Sequence, residues 1–222
     1  MPCTAKKYEA SREEFATDGI PDVDYSITTR ELGRLFKQYN IDLLEMQDEE
    51  FDSPLGESTG AADIFGRTGG VLEAAIRTLY EWLSDGKLED LDFVNLRGFQ
   101  EVRVAEIEVT GIKLKVAVVH GLGAARKLIE DIKSGKQYFD AIEVMACKGG
   151  CVGGSGQPYH HGNFEIVKKR AEGLQDIDYH KELRESNENE SVMKLYDRYI
   201  GEANNEVAHR LLHTHYFDRK EK

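Results

Sequence analysis

Cysteine is scarce in this chain, with only three among 222 residues. An odd number of cysteines does not suggest a disulfide framework, and it favours a reducing compartment in which thiolates stay available for metal. Long apolar runs are also missing, because no stretch approaches the ~18–20 apolar residues that a membrane span needs. No secretory signal is visible, since a polar, cysteine-bearing motif follows Met1 directly. We therefore expect a cytoplasmic protein without a membrane span.

Basic residues are outnumbered, with 29 Lys and Arg against 41 Asp and Glu, and the formal net charge is −12. Such a surface repels phosphate backbones, so a nucleic-acid partner is disfavoured. The hydrophobic content of 40% and the charged content of 32% are ordinary for a globular protein. A chain of this length can bury a substantial core.

Hydrophobic patterning predicts an α/β fold, with a mixed sheet, a parallel βαβ unit, flanking helices and a C-terminal helical arm. An alternating run over 102–109 and an apolar run over 112–119 predict a hairpin. A helix over about 122–133 should then lead to a strand over 139–145 that runs parallel to 112–119.

Further helices are predicted from the spacing of apolar residues and from a capping box formed by Thr28 and Glu31. They span about 28–39, 71–83, 163–175, 191–200 and 204–213. Residues 48–70 form a long connection rich in glycine and acidic residues. Long loops in compact domains are usually functional or disordered, and the glycine pattern here favours an ordered, functional loop.

The most informative motif spans residues 145–158, where Cys147 and Cys151 stand four positions apart around Gly149 and Gly150. Thiolates are the soft ligands that iron–sulfur clusters require, and glycines let a loop approach a bulky inorganic ligand. The loop follows the second parallel strand, at the edge where open α/β sheets bind ligands. Taken alone, the spacing also fits two buried cysteines, a redox pair or half of a zinc site.

Several stretches of the chain resemble signatures of iron-only (FeFe) hydrogenases, in the order that the family has them. Residues 145–158 are similar to the third cysteine signature, and residues 1–9, which contain Pro-Cys-Thr-Ala-Lys-Lys, resemble the second. Residues 54–73 resemble the segment between the two signatures. The tail over 195–201 and 211–216 is similar to the family's small-subunit region.

This resemblance implies an H-cluster, a 4Fe–4S cubane joined through a cysteine sulfur to a two-iron unit that carries CO and cyanide. It also implies reversible interconversion of protons and electrons with dihydrogen. By residue-by-residue match, Cys3 and Cys147 would bind cubane iron, and Cys151 would bind cubane iron and bridge to the two-iron unit. Lys6 would donate to a cyanide ligand, because an ammonium group is a strong donor in a low-dielectric pocket. Glu9 would lie on the proton route, with plain solvent exposure as the alternative.

The other implied site residues would surround the same cofactor. Met1 and Met145 would line the two-iron unit, where a soft, unbranched side chain packs against diatomic ligands. Core packing is the alternative for Met145. Pro2 and Gln157 would shape the pocket. Three residues of the long connection would approach the cluster, namely Phe65, Gly66 and Thr68.

The chain departs from the family chiefly in its cysteines, because the first cysteine signature is not found in it. The N-terminal ferredoxin-like cluster domains of the family are not found either. That signature supplies one cubane cysteine and a proton-shuttling cysteine. We therefore expect a fragment or subunit, with residues 1–162 as part of the H-cluster domain and 163–222 as a small-subunit-like tail. The expected partners are the missing N-terminal part or a companion subunit, and a ferredoxin-like electron donor or acceptor. With three of four cubane thiolates, we expect the isolated chain to be inactive and to retain the H-cluster poorly or not at all.

Two alternatives come from other functional classes. Relatives in cytosolic iron–sulfur assembly and of the prelamin-recognition-factor type share the fold but carry clusters or bind partners. A sensory, catalytically silent subunit is the second alternative. Lys6, Met145 and Gln157 favour the hydrogenase branch, because they would serve the two-iron unit rather than a bare cubane.

Overall fold

The computed structural model describes residues 3–52, 57–84 and 91–217. The described helices, in chain order, are α1 Thr4–Ala10, α2 Thr29–Gln38, α3 Gly60–Asp63, α4 Gly70–Leu83, α5 Leu122–Lys133, α6 Phe164–His180, α7 Glu190–Leu195 and α8 Glu206–Leu212. The described strands are β1 Ala16–Thr17, β2 Ile20–Pro21, β3 Val102–Val109, β4 Ile112–His120 and β5 Ala141–Met145. Among the described residues, no helix is both long enough and apolar enough to cross a bilayer.

A three-stranded mixed sheet has the order β3-β4-β5. Strands β3 and β4 pair as an antiparallel hairpin, and β4 pairs with β5 in parallel. The predicted α/β fold with a parallel βαβ unit is thereby confirmed. Because α5 carries the chain from β4 to β5, the carboxyl ends of these two strands lie at the same edge of the sheet. The cysteine loop, which we define as residues 146–154, begins at this edge.

The second half of β4, from Val116 to His120, is buried on both faces, which explains why its sequence is almost entirely apolar. On one face, Val118 belongs to a core cluster with Leu72 and Ile76 of α4. On the other face, Val119 clusters with Leu128 of α5. Successive side chains of a strand point to opposite faces, so the sequence of β4 assigns each residue to the α4 side or the α5 side.

The chain divides into two compact units. The first unit contains residues 1–56, 155–158 and 190–222, and therefore holds α1, α2, α7 and α8. The second contains residues 57–154 and 159–189, with the sheet, α3 to α6 and the cysteine loop. The sequence-based division after residue 162 concerns family modules and remains a prediction.

Several predicted elements differ in detail from the structure. Helix α1 is absent from the sequence-based prediction, and α6 extends to His180 instead of ending near residue 175. The long connection over 48–70 contains helix α3 and a 3-10 turn over Ile64–Gly66, although residues 53–56 lie outside the described part. The helix predicted over 191–200 ends at Leu195 and continues as one π-helical turn.

Candidate functional site

The cysteine loop follows β5 directly and contains two cysteines, neither of which is in a disulfide. Cys147 and Cys151 are both half-buried, and Cys151 opens a 3-10 turn that extends to Gly153. The Gly150 backbone N–H donates to the Cys147 carbonyl oxygen over 3.0 Å, which closes a turn between the two cysteines. The fold therefore carries this thiol pair at the carboxyl edge of the parallel strands.

Glycines in this loop stand where the structure has no room for a side chain. Gly149 and Gly150 have φ angles of +79° and +89°, which side chains rarely allow. A Cβ on Gly150 would lie 2.6 Å from the Thr68 nitrogen, and one on Gly153 would lie 2.2 Å from the Lys148 carbonyl oxygen. The loop is thus held by direct backbone packing.

The loop over residues 65–69 supports the cysteine loop. The Thr68 backbone N–H donates to the Gly149 carbonyl oxygen over 3.1 Å. The Thr68 side chain is 2% exposed, and its hydroxyl accepts a hydrogen bond from Arg103 Nη2 over 3.0 Å. Two glycines beside this loop also have no room for a side chain: a Cβ on Gly69 would lie 2.1 Å from the Leu96 carbonyl oxygen, and one on Gly70 would lie 1.7 Å from the Ile64 carbonyl oxygen. Two loops from distant parts of the sequence are therefore in direct backbone contact.

Glu143 of β5 caps helix α4 from outside the helix. Its carboxylate accepts hydrogen bonds from the backbone N–H groups of Gly69, over 2.5 Å, and Leu72, over 2.9 Å. The N-cap residue Gly69 has no side chain to do this. The negative carboxylate also interacts favourably with the positive end of the helix dipole. Strand β5 is thereby tied to the loop that contacts Gly149.

The buried carboxylate of Glu73 forms ion pairs with three guanidinium groups beside the 65–69 loop. Glu73 is fully buried, and its oxygens lie 2.5 Å from Arg67 Nη2, 2.9 Å from Arg77 Nη2 and 2.7 Å from Arg97 Nη2. Arg67 is 4% exposed and precedes Thr68. A charge buried in this way needs such partners, and here they fix the backbone beside the cysteine loop.

The second-signature motif lies in the first unit, where Cys3 is the N-cap of α1. Its sulfur accepts a hydrogen bond from the Lys6 backbone nitrogen over 3.4 Å. The Lys6 ammonium lies 2.5 Å from Glu9 Oε1, and the two side chains are 42% and 35% exposed. Both residues line a cavity of about 280 Å³ together with Phe15, Tyr25 and neighbouring residues. The two predicted catalytic groups of this helix therefore form one ion pair at a cavity wall.

Residues 155–158, which follow the cysteine loop, belong to the first unit as well. The Ser155 hydroxyl and the Thr4 hydroxyl are hydrogen-bonded, and Arg30 Nη2 donates to the Ser155 carbonyl oxygen over 2.9 Å. The Arg30 backbone N–H donates to the Gly156 carbonyl oxygen over 3.3 Å. Gln157 thus sits in a segment anchored to the residue that follows Cys3.

The predicted site residues fall into two groups. The second unit brings together the cysteine loop and the 65–69 loop, with the predicted residues Phe65, Gly66, Thr68, Met145, Cys147 and Cys151. The first unit holds Cys3, Lys6, Glu9 and Gln157. Met1 and Pro2 lie outside the described residues. Within the described ranges, no three Cys, His, Asp or Glu side chains gather as a metal-binding group.

Sequence reasoning missed the charged residues that support the site. Glu73 and Arg77 are four residues apart on a helix, which is a recognisable pairing signal. Glu143 gave a weaker signal, a carboxylate inside an otherwise apolar strand. The partners of Glu143 lie 71 and 74 positions away, so no local pattern could identify them.

Comparisons with known proteins agree with these features. A family model described as the iron-only hydrogenase large subunit, C-terminal domain, matches residues 1–155, and one described as the iron hydrogenase small subunit matches 164–219. The NADP-reducing hydrogenase subunit HndD of Solidesulfovibrio fructosivorans is 53% identical over 99% of this chain and 37% of that protein. Iron hydrogenase 1 of Clostridium pasteurianum is 42% identical over 97% of this chain and 38% of its own length. The chain thus spans less than two fifths of these two relatives.

Solved structures and more distant relatives widen the comparison. A structure of the [FeFe]-hydrogenase HydA(ΔEFG), from work on stepwise H-cluster assembly, matches 97% of this chain and 61% of its own, with a TM-score of 0.76 and 39% identity. Cytosolic iron-sulfur assembly component 3 of Mus musculus is 32% identical over 97% of this chain and 46% of that protein. Because the two family models cover most of the chain, in order, the chain belongs to the iron-only hydrogenase family.

Proposed function

We propose that this chain is part of an iron-only hydrogenase that interconverts protons and electrons with dihydrogen at an H-cluster. In this proposal Cys3, Cys147 and Cys151 would hold the cubane iron, and Cys151 would also serve the two-iron unit. The observation that carries the proposal is the rigid, glycine-built loop that presents Cys147 and Cys151 at the carboxyl edge of the parallel strands.

The residues present in the cysteine loop fit a sulfur-ligated iron group. Both cysteines are half-buried and in no disulfide, and cysteine thiols deprotonate to the soft ligands that iron–sulfur clusters need. A Cβ on Gly154 would lie 3.7 Å from the Cys147 sulfur and 3.0 Å from the Cys151 carbonyl oxygen. Glycine at this position therefore leaves the space beside the Cys147 thiol free of a side chain.

When bound, the H-cluster supplies the redox chemistry and the metal positions for dihydrogen, and the chain's own residues orient it and handle protons. Lys6 has three N–H donors, so it can retain its contact with Glu9 and also donate to an anionic ligand. Glu9 can accept a proton at Oε1. Met145 would provide soft packing, and the other predicted residues of the described part, Phe65, Gly66, Thr68 and Gln157, would shape the pocket.

The three cysteines supply at most three of the four thiolates of an ordinary cubane. We infer that the fourth comes from a companion segment or subunit. The similarity to HndD, named as a subunit of an NADP-reducing hydrogenase, supports a multi-subunit assembly. A ferredoxin-like protein or an NADP-reducing subunit would exchange electrons with the cubane. A cytoplasmic location belongs to the same proposal and rests on the cysteine usage.

Anaerobic reconstitution tests the proposal. The chain is incubated with iron, sulfide and an excess of a small thiol that can serve as the fourth ligand, then desalted, and iron and sulfide are counted per chain. We expect about four of each with the wild-type chain, and a large loss with Cys147→Ser and Cys151→Ser. Ser134→Ala, at the exposed residue that follows α5, removes no thiol and no contact of the cysteine loop. It is the matched control and should retain the cluster.

Hydrogen evolution and infrared spectroscopy then test the finer claim. The chain is combined with the N-terminal portion of its parent enzyme and matured with the two-iron unit. CO and cyanide bands together with dihydrogen production support the proposal. A cubane without such bands would favour the second candidate, a cluster-carrying assembly or interaction protein. The 32% identity to the mouse assembly component supports this second candidate. Dihydrogen production by the chain alone would contradict the need for a fourth thiolate from elsewhere.

A further inference from the structure

His120, the last residue of β4, is buried without a hydrogen-bond partner for its ring. Its relative exposure is 2%, and within the described residues neither Nδ1 nor Nε2 has a partner. The Phe99 carbonyl lies close enough to favour the protonated ring, but its geometry does not make a hydrogen bond. Buried polar groups are nearly always paired, so an imidazole in this condition requires an explanation.

The surroundings keep this imidazole neutral. Burial lowers the pKa of His120, and the positive charge of Arg103 lowers it further. A neutral imidazole carries one N–H donor and one bare nitrogen acceptor. His120 therefore brings an unused donor into the interior, and an unused donor is costly to keep there unless something outside the described atoms accepts from it.

The strand register places His120 beneath the start of the cysteine loop. Val118 packs on the α4 side of the sheet, so His120, two residues further on, points to the same side. Its neighbour on β5 is Met145, two residues before Cys147, and the Gly121 backbone N–H donates to the Met145 carbonyl oxygen over 2.8 Å. This is also the side on which Arg103 holds the Thr68 hydroxyl.

We propose that His120 donates a hydrogen bond to a sulfur atom of the iron–sulfur group that the cysteine loop holds. This inference rests on the proposed function. Sulfur is the acceptor that the neighbouring loop provides, through its thiolates and through the inorganic sulfides of a cubane. Such N–H to sulfur bonds orient a cluster and tune its reduction potential. His120 is thus a cofactor-contacting residue that the cysteine signatures do not include.

A set of His120 variants tests this. His120→Leu removes the donor at similar volume, whereas His120→Asn keeps an N–H near the position of Nδ1 and His120→Gln keeps one near Nε2. His180→Leu makes the same chemical change at a side chain that is 69% exposed, and is the matched control. Each chain is reconstituted with iron, sulfide and a small thiol, as above, and its melting temperature without iron is also measured.

We expect His120→Leu to retain iron roughly tenfold less well than the wild type. Its iron-free form should melt at or above the wild-type temperature, because an unpaired buried imidazole has been removed. One of the two amide variants should restore retention, which identifies the donating nitrogen. Pulsed EPR of the reduced cluster in ¹⁵N-histidine-labelled protein should show an imidazole coupling that His120→Asn abolishes.

Wild-type iron retention in His120→Leu would overturn the inference. A clearly lower melting temperature of iron-free His120→Leu would also overturn it, because the ring would then be satisfied inside the protein, for instance by a buried water. If His120→Leu fails to fold, the ¹⁵N coupling decides, and its absence from the wild-type spectrum refutes the inference. If the wild-type chain takes up no iron, the proposed function itself is contradicted. If the wild-type chain takes up iron but the His120 variants do not behave as expected, only the role of His120 is contradicted.

Discussion

Arg77 and Asp178, which stand 101 positions apart in the sequence, form a two-pronged ion pair in the interior of the second unit. Arg77 Nη1 lies 2.7 Å from Asp178 Oδ1, and Nη2 lies 2.9 Å from Oδ2. Both side chains are fully buried, and Arg184 adds a contact of 2.7 Å to Asp178. Burial alone would raise the pKa of Asp178, but the hydrogen bonds from Arg77 and Arg184 outweigh it and lower that pKa below its ordinary value. The carboxylate therefore ties α4 to α6 in its charged form.

Removing one member of this pair should be costly. We expect Asp178→Asn to lower the free energy of unfolding by about 3–5 kcal/mol, because it leaves buried guanidinium groups without their carboxylate. Urea unfolding followed by circular dichroism measures this. The double variant Arg77→Met with Asp178→Leu removes both charges of the pair. Glu73 then keeps Arg67 and Arg97 as partners, and Arg184 keeps Asp92. The double variant should therefore be less destabilised than Asp178→Asn. A double variant that is worse than the single one would contradict the explanation by unpaired charge.

Gly150 and Gly123 offer a matched pair of glycine substitutions. Gly150→Ala should destabilise the chain by at least about 1–2 kcal/mol, because φ is +89° and the new Cβ would meet the Thr68 nitrogen at 2.6 Å. Gly123→Ala lies in α5, where a Cβ meets nothing within 4 Å, and should be neutral or stabilising by up to about 1 kcal/mol. Thermal unfolding compares the two variants, and equal effects would show that the cysteine loop has more room than its backbone contacts indicate.

Glu143→Gln tests the cap that β5 provides for α4. The amide keeps one acceptor oxygen but loses the charge and the second acceptor, so we expect a loss of about 1–3 kcal/mol. Hydrogen exchange should accelerate at the Gly69 and Leu72 amides, which the carboxylate now accepts from. Glu108→Gln, on the exposed face of β3, is the control and should change neither stability nor exchange. Unchanged protection in the Glu143 variant would contradict the cap.

The capping box of α2 should respond to acid in a defined window. A hydrogen bond from the Thr28 backbone, with a further one from Lys7, lowers the pKa of Glu31 from 4.5 to about 2. Because the folded pKa is depressed, the stabilisation is fully present above pH 4.5 and is lost as the pH falls towards 2. An NMR titration of the Glu31 side chain and the Thr28 amide measures this. Glu31→Gln should abolish the transition, and a wild-type midpoint near 4.5 would contradict the box.

The parallel βαβ unit could be predicted because its signals are local. The apolar run that ends 112–119 indicates a strand segment buried on both faces. The cysteine motif then begins within two residues of the next strand. The capping box of Thr28 and Glu31 could also be recognised from the sequence, since both partners lie within one helical turn.

Other features could not be predicted because their causes are distant or unusual. Helix α1 starts at Cys3, whose sulfur is a weak acceptor and does not belong to the usual set of N-cap residues. The partners of Glu143 and Asp178 come from far along the chain, so only the fold reveals them. His120 carried no signal at all, because an unsatisfied ring is visible only when its neighbours are known.

The contact between Thr68 and Gly149 has a consequence for the order in which the protein matures. The shape of the cysteine loop depends on backbone atoms of Arg67 and Thr68, which precede β3, β4, α5 and β5. The pair of thiols therefore acquires its arrangement only after the crossover has closed, and closing such long-range contacts is a late event in folding. A nascent or unfolded chain lacks this arrangement, so in the proposed function iron would be loaded after the second unit has folded.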